Sequence, residues 1–119
     1  GHTISHLRTL SDHLPGDRSV LYLIGDSTLD NKHWFESWAP SVNGYERVLE
    51  PARSKPDVSH HLNVGLMERG LGGRWVTMNA AVEESTVSLR TKSGGLLEHD
   101  EFVRSNISER DVLVVSCGG

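Results

Sequence analysis

The sequence predicts an α/β fold in which helices cover a parallel sheet. Apolar runs rich in strand formers occupy residues 20–24, 75–79 and 111–116, and helical patterns lie between them. The first and third runs do not alternate between apolar and polar residues, which is typical of strands buried on both faces. Strands that alternate with helices imply right-handed crossovers, and therefore a three-layer α/β/α sandwich.

The segments around these strands carry helix signals. Residues 4–14 have apolar side chains at helical spacing and precede a Pro-Gly stop at 15–16. A second helix is expected to begin near Ser54, a good N-cap residue, and to end at the glycines of 70–73. A third helix is expected over residues 96–107. The apolar stripe expected to face inward on the second helix consists of Val58, Leu62, Leu66 and Met67.

The segment 28–56 is irregular and rich in aromatic residues. It is long for a bare connection, so a helical turn is expected near residues 31–38, followed by a loop. Trp34 and Trp38, four residues apart, would then lie on one side of that turn. Two interpretations remain open: the pair forms a buried helix face, or it lines a pocket near a functional site.

Composition limits the function classes. The 119 residues suit one domain, and the formal charge of −4 argues against a general nucleic-acid binder, which normally has a basic face. No stretch approaches the roughly 20 apolar residues of a membrane span. Cys117 is the single cysteine, so no internal disulfide is expected, and the first residues lack the apolar core of a signal peptide. Both features favour a cytoplasmic location.

The carboxyl ends of the strands predict where a site lies, because ligands bind beyond these ends in open α/β sheets. Residues 25–27 (Gly-Asp-Ser), 79–81 (Asn-Ala-Ala) and 117–119 (Cys-Gly-Gly) each follow a predicted strand and would converge there. Ser27 has two interpretations at this edge. It is a nucleophile if a base lies near it, or an N-cap that begins the next helix.

Three motifs, in order, resemble sequence blocks of a hydrolase family. Residues 24–31 (IGDSTLDN) resemble block I of the SGNH, or GDS-like, serine hydrolases, whose core is Gly-Asp-Ser. Residues 78–86 (MNAAVEEST) resemble a degenerate block II, which usually reads Asn-x-Gly. Residues 112–119 (VLVVSCGG) resemble the strand that enters block III, where the family continues with Asn-Asp. The resemblance covers roughly residues 18–119, and it implies that residues 1–119 are the N-terminal portion of one flavodoxin-like SGNH domain.

The resemblance implies roles for three residues. Ser27 would be the nucleophile, and its backbone N–H would form one arm of the oxyanion hole. Ala81 stands where the family has the block II glycine and would supply a second N–H. Asp26 would fix the turn by hydrogen bonds, with an ordinary turn aspartate as the alternative. The family implies no cofactor and no metal.

No base is identified within the chain. In the family an Asp-x-x-His block supplies the base and its orienting acid, and block III supplies an asparagine that would fall just after Gly119. His33 is the histidine that follows Ser27 most closely, and His60 and His61 lie on the next helix. A surface or packing role is expected for each, because none has Asp-x-x-His context. Since loss of the base costs such triads several orders of magnitude, the chain alone is expected to be nearly inert.

Two functions are therefore expected. The first is an SGNH-type hydrolase of a small-molecule ester, completed by the C-terminal half of the same domain as its partner segment. The second is a non-catalytic member of the fold that binds a ligand or a partner, which the change to Ala81 favours. Without a partner segment, residues 112–115 would form an unpaired apolar sheet edge.

Overall fold

The computed structural model describes residues 2–14, 16–92 and 95–118, so Pro15 of the predicted helix stop and Gly119 of the third motif lie outside the described residues. The helices are α1 (Ile4–His13), α2 (Val58–Glu68), α3 (Val87–Lys92) and α4 (Glu98–Asn106). The strands are β1 (Ser19–Gly25), β2 (Ala39–Pro40), β3 (Arg53–Ser54), β4 (Trp75–Asn79) and β5 (Val112–Ser116). Short 3-10 turns occupy Lys32–Trp34 and Tyr45–Arg47. No helix in the described ranges combines the length and the hydropathy of a membrane span.

β1 is the central strand of a three-stranded parallel sheet with the order β4-β1-β5. Leu21 of β1 lies opposite Thr77 of β4 on one side and Val112 of β5 on the other. The apolar run of β1 fits this central position, because helices cover both of its faces. β2 and β3 pair antiparallel in a separate two-stranded ribbon. The predicted α/β class with a parallel sheet is confirmed.

The two faces of β1 belong to different apolar clusters. Tyr22 packs with Leu7 of α1 and Phe102 of α4, whereas Leu23 packs on the opposite side with partly buried Val58 of α2. Leu7 and Leu23 are both 0% exposed. Complete burial of such a side chain contributes roughly 2 kcal/mol to folding, so these two positions anchor α1 and the strand that precedes Ser27.

The second helix begins later than its sequence pattern predicted. Asp57, rather than Ser54, is the N-cap, because its Oδ1 accepts the His60 N–H at 2.9 Å. Ser54 lies in β3 instead. The physical reason is Pro56, which disfavours the helical conformation at Lys55 and therefore a helix that starts at Ser54.

The predicted apolar stripe of α2 is wrong for Leu62 and Met67: Val58 packs against Leu23 as expected, but farther along the helix the inner face is polar. Leu62 and Met67 are 37% and 50% exposed, whereas Ser59 and Asn63 are buried. These polar residues face Thr77 of β4: Ser59 Oγ lies 2.9 Å from Thr77 Oγ1, and Asn63 Oδ1 accepts the Thr77 N–H at 3.0 Å. Thr77 is buried and needs hydrogen-bond partners, so the polar side of α2 faces β4.

Side chains occupy the outer backbone edge of β4. Asn63 accepts the Thr77 N–H, and the Tyr45 hydroxyl donates to the Thr77 C=O at 2.5 Å. Asn43 Nδ2 donates to the Trp75 C=O at 3.0 Å. Because these outer N–H and C=O groups already have hydrogen-bond partners, they are not available to pair with another strand.

The outer edge of β5 is open by contrast. Among the described residues the sheet has no strand beyond β5, and Val112, Leu113, Val114 and Val115 are 37–57% exposed. The strand was predicted correctly, but it is not buried, because no helix of the described ranges covers it. The apolar edge expected from the sequence is therefore present.

We expect Val115→Lys to reduce self-association of the chain with little loss of stability. Val115 is 57% exposed, and a lysine on an open sheet edge opposes pairing with another strand. Sedimentation velocity at matched concentrations measures the effect. Val87→Lys is the control, because Val87 on α3 is 50% exposed and lies outside the sheet. Unchanged association of Val115→Lys would contradict the expectation.

Candidate functional site

Ser27 lies in a tight turn at the carboxyl end of β1. The Asp26 C=O accepts the N–H groups of Leu29 and Asp30 at 3.1 and 3.0 Å, which closes the turn. Ser27 is half-buried, and neither its hydroxyl nor its N–H has a hydrogen-bond partner among the described residues. The N-cap interpretation is not supported, because the hydroxyl accepts no N–H from the turn.

Asp26 connects this turn to the end of β5. Its Oδ1 accepts the Thr28 N–H at 3.0 Å, and its Oδ2 accepts the Gly118 N–H at 2.5 Å. Its own N–H donates to the Ser116 C=O at 3.0 Å. The hydrogen bonds from Gly118 and Thr28 lower the pKa of Asp26 below its ordinary value. Asp26 therefore holds residues 116–118 beside Ser27.

Gly25 allows this close approach of the strands. Its φ is +146°, and a Cβ added there would lie 1.9 Å from the Ser116 carbonyl oxygen. The Gly25 C=O accepts the Val82 N–H at 3.0 Å and the Ser85 hydroxyl at 2.8 Å. These bonds place the 82–86 loop, which follows β4, against the Ser27 turn.

Arg90 supports the same junction from α3. Its Nε and Nη2 donate to the two Asp100 carboxylate oxygens at 2.7 and 3.2 Å. Nη1 also donates to the Ser85 hydroxyl at 3.1 Å, and Nη2 to the Gly25 C=O at 3.3 Å. The side chains of Arg90 and Asp100 are 10% and 1% exposed, and the hydrogen bonds to Asp100 raise the pKa of Arg90. This buried bidentate pair fixes the position of the Gly25 carbonyl next to Ser27.

Asn79 joins the turn to the loop that contains Ala81. Its Nδ2 donates to the Leu29 C=O at 2.7 Å, and its Oδ1 accepts the Ala81 N–H at 3.0 Å. Ala81 is only 1% exposed. In this arrangement the Ala81 N–H faces Asn79 rather than a substrate, so an oxyanion role for Ala81 requires that bond to break.

Asp30 holds the following residues of the loop. Its Oδ2 accepts the Glu83 N–H at 2.8 Å, and its Oδ1 accepts Lys32 Nζ at 3.0 Å. Burial acts to raise the pKa of Asp30, but hydrogen bonds, among them those from Lys32 and Glu83, hold it at about 2. Glu84, the next residue, has a φ of +62° and an N–H without an acceptor among the described residues. Ser27 and Glu84 thus both present unoccupied backbone donors.

We expect the chain to lose stability as the pH falls from about 4 to about 2. The folded pKa of Asp30 is about 2, below the ordinary value of 3.8, so its contribution is complete above about pH 4 and is lost as the pH falls through 2. Asp57 acts in the opposite direction, because burial raises its pKa and its protonation favours the folded state. Urea denaturation between pH 2 and 6 measures the slope. Asp30→Asn should flatten it, and an unchanged slope would contradict this account.

The histidines singled out in the sequence do not bind Ser27. His33 is 62% exposed, and its Nε2 lies 3.5 Å from Glu83 Oε2. The rings of His60 and His61 pack edge to face with centroids 5.7 Å apart. No hydrogen bond joins Ser27 to a histidine in the part of the chain that the structure describes. Within those ranges, no group of three or more histidine, cysteine or carboxylate side chains is arranged to hold a metal ion.

Trp34 and Trp38 do not form a buried helix face. The predicted helical turn is limited to Lys32–Trp34, and the two tryptophans are 74% and 52% exposed. Trp38 instead lines a cavity of about 470 Å³ between α1, the β2–β3 ribbon and α2. Neither Trp34 nor Ser27 is part of the cavity wall, so one tryptophan of the pair lines a pocket, and this pocket is not at the serine.

Sequence reasoning identified the Ser27 turn but missed most of its supports. Asn79 lay inside the block II motif and was given no role, although an asparagine at a strand end is a signal for loop hydrogen bonding. Arg90 and Asp100 carry no such signal, because ten residues and a helix boundary separate them. Their pairing depends on the packing of α3 and α4.

The surroundings of Ser27 are the basis on which a function is assigned. No protein-family model matches the chain, and neither a curated protein nor a solved structure is similar enough to count as a match.

Proposed function

We propose that the chain carries the nucleophile of an SGNH-type serine ester hydrolase, and that Ser27 is that residue. The observation that carries the proposal is the unoccupied hydroxyl and N–H of Ser27, held on a tight turn at the end of the central strand. Ligands of parallel α/β sheets bind at this edge. A serine there attacks an acyl carbonyl when a base removes its proton, and its N–H donates to the oxyanion.

The order of the strands supports the proposal. Counted among themselves, the three parallel strands have the order 2-1-3, which is the beginning of the flavodoxin-like order 2-1-3-4-5. The motifs at residues 24–31 and 78–86 follow the first two of these strands. Because Gly25 binds Val82 and Ser85, the two motifs are in direct contact.

The proposed reaction proceeds through an acyl-enzyme. Ser27 Oγ bonds to the ester carbonyl carbon, its proton passes to a histidine, and the alcohol leaves with that proton. Water then cleaves the acyl-serine and restores the hydroxyl. The Ser27 N–H is one oxyanion donor, and a second comes from Glu84, whose N–H is unoccupied, or from Ala81 after it leaves Asn79. The scheme uses neither a cofactor nor a metal.

We propose that the histidine comes from a C-terminal half of the same domain, which pairs with β5. The open edge and the exposed side chains of residues 112–115 supply the surface for that segment. The bond from Gly118 to Asp26 places the chain that follows β5 beside Ser27.

A fluorophosphonate probe tests this function on protein that includes the Asn and Asp-x-x-His blocks. We expect the label on Ser27, identified by peptide mass spectrometry, and labelling at least about a hundredfold slower for residues 1–119 alone, because the base is missing. Ser88→Ala is the control, since Ser88 is an exposed serine on α3 and its loss should leave labelling unchanged. Labelling that persists in Ser27→Ala would refute Ser27 as the nucleophile.

The second candidate function is a non-catalytic SGNH-like domain that binds a ligand or a partner. The observation that favours it is the bond between the Ala81 N–H and Asn79, which removes one expected oxyanion donor. This alternative predicts no probe labelling of Ser27 even when both halves of the domain are present. The same labelling experiment therefore decides between the two functions.

A further inference from the structure

The cavity lined by Trp38 contains a buried hydrogen-bond donor without an acceptor. Asn63 is 3% exposed and lies in the cavity wall. Its Oδ1 accepts hydrogen bonds from Thr77 and Asn43, but its NH₂ group has no acceptor among the described residues. Among the described residues, the fully enclosed side-chain atom without a hydrogen-bond partner is Ser41 Oγ. The NH₂ group of Asn63 is therefore not fully enclosed. The NH₂ group therefore reaches the cavity.

The same wall contains a buried acceptor. Asp57 is 8% exposed, and its Oδ1 accepts the His60 N–H, whereas its Oδ2 has no donor in the described part of the chain. Neither atom is fully enclosed, so both are available to a ligand in the cavity. A ligand hydroxyl suits either group, because a hydroxyl can donate to a carboxylate oxygen and can accept from an amide NH₂.

Part of the wall is aliphatic, formed by Leu10, Val42, Val48 and Leu49, and histidine, threonine, serine and asparagine side chains line other parts of it. A cavity of about 470 Å³ that combines an aliphatic surface with placed polar groups is typical of small-molecule sites. The body of the ligand is therefore expected to be apolar.

The exposed end of the cavity is cationic. The Arg53 guanidinium lies 4.8 Å and Lys55 Nζ lies 4.3 Å from the Trp38 ring centroid, and all three residues line the cavity. Within the described ranges, neither cation has a carboxylate within ion-pair distance. Glu50 also lines the cavity, but the two cations outnumber it at this end. An anionic group is favoured beside Trp38.

We propose that this cavity binds an organic acid with a hydroxyl group at the end opposite its carboxylate, of which a phenolic acid is the simplest form. The hydroxyl donates to Asp57, the ring packs on the aliphatic part of the wall, and the carboxylate lies at Arg53, beside Lys55, whose Nζ also donates to the C=O groups of Phe35 and Glu36. Arg53 and Asp57 are four residues apart, so their Cα atoms are separated by at most roughly 14 Å, which suits a single-ring acid. The site goes beyond the proposed hydrolase and does not depend on it, because Ser27 is not in the wall.

Titration calorimetry with three probes tests the ligand class. They are 3-(4-hydroxyphenyl)propanoate, 3-phenylpropanoate, which lacks the hydroxyl, and 3-(4-hydroxyphenyl)propanamide, which lacks the charge. We expect saturable binding of the hydroxy acid, at least fivefold tighter than either of the others. Equal affinity for the three probes, or no saturable binding of the hydroxy acid, would overturn the proposal.

Variants then assign the two ends of the site. Arg53→Met should weaken the hydroxy acid about fivefold and leave the amide unchanged, while Arg47→Met, an exposed arginine outside the wall, should change neither. Asp57→Ser keeps an N-cap residue for α2 and should remove the preference for the hydroxyl. Equal effects of Arg53→Met and Arg47→Met would overturn the carboxylate position. Ser27→Ala should bind as the unaltered chain does, and loss of binding there would overturn the independence of the site.

Discussion

Gly25→Ala is expected to destabilise the fold by about 4 kcal/mol or more. The new Cβ would lie 1.9 Å from the Ser116 carbonyl oxygen, and the backbone already has a φ of +146° that suits glycine. The clash involves backbone on both sides, so no side chain can rotate to relieve it. Separation of β1 from β5 would also break the bond between the Asp26 N–H and Ser116.

Urea denaturation measures this effect, with Gly65→Ala as the matched control. An added Cβ at Gly65 meets no atom within 4 Å, and the residue lies inside α2. Alanine there should stabilise the chain by up to about 1 kcal/mol, because glycine is a poor helix former. Similar unfolding midpoints for the two variants would show that β1 and β5 are farther apart than described.

Asp100→Asn is expected to cost about 3 kcal/mol or more. Arg90 would remain charged with 10% of its side chain exposed, and it would keep at most one of its two hydrogen bonds, to an uncharged amide oxygen. Removal of one partner from a buried ion pair typically costs 3–5 kcal/mol, because the other charge is left without compensation. Loosening of Arg90 also releases the carbonyl of Gly25, so the Ser27 turn should become more mobile.

The same helix provides the control for this variant. Glu101 pairs with Arg104 at 3.2 Å, but their side chains are 45% and 73% exposed. Glu101→Gln should therefore cost less than about 1 kcal/mol. Thermal and urea unfolding of both variants test the contrast, and amide hydrogen exchange at residues 25–28 reports on the turn. Equal losses for Asp100→Asn and Glu101→Gln would contradict a buried role for the Arg90–Asp100 pair.

The three strands of the parallel sheet and helices α1, α2 and α4 were predicted from the sequence because local pattern determines them, whereas α3 and the β2–β3 ribbon were not predicted. The apolar run at 20–24 needs cover on both faces, and the central strand provides it. The start of α2 was predictable in principle, since the effect of Pro56 on Lys55 is local. The polar inner face of α2 was not, because Ser59 and Asn63 face inward only to match Thr77, a residue of another element.

The candidate site was predictable in part for the same reason. The position of Ser27 follows from one strand and the turn after it. The supports supplied by Asn79 and Arg90 depend on tertiary contacts that bring β4 and α3 to that turn. The hydrogen bond from the Ala81 N–H to Asn79 Oδ1 also could not be predicted from residue types, because it depends on the geometry of the loop.

The hydrogen bonds of Ser59 and Asn63 in α2 with Thr77 in β4 determine which substitutions the helix tolerates. Leu62 and Met67 face outward, so polar replacements there should be nearly neutral, whereas an apolar replacement of Asn63 leaves the Thr77 N–H without its acceptor. Hydrogen bonds are also directional, so a slide of α2 by one turn, about 5.4 Å, would separate Ser59 and Thr77 entirely. The position of α2 along its own axis is thus fixed, and its outward-facing apolar residues, Leu62 and Met67, should tolerate the widest range of substitutions.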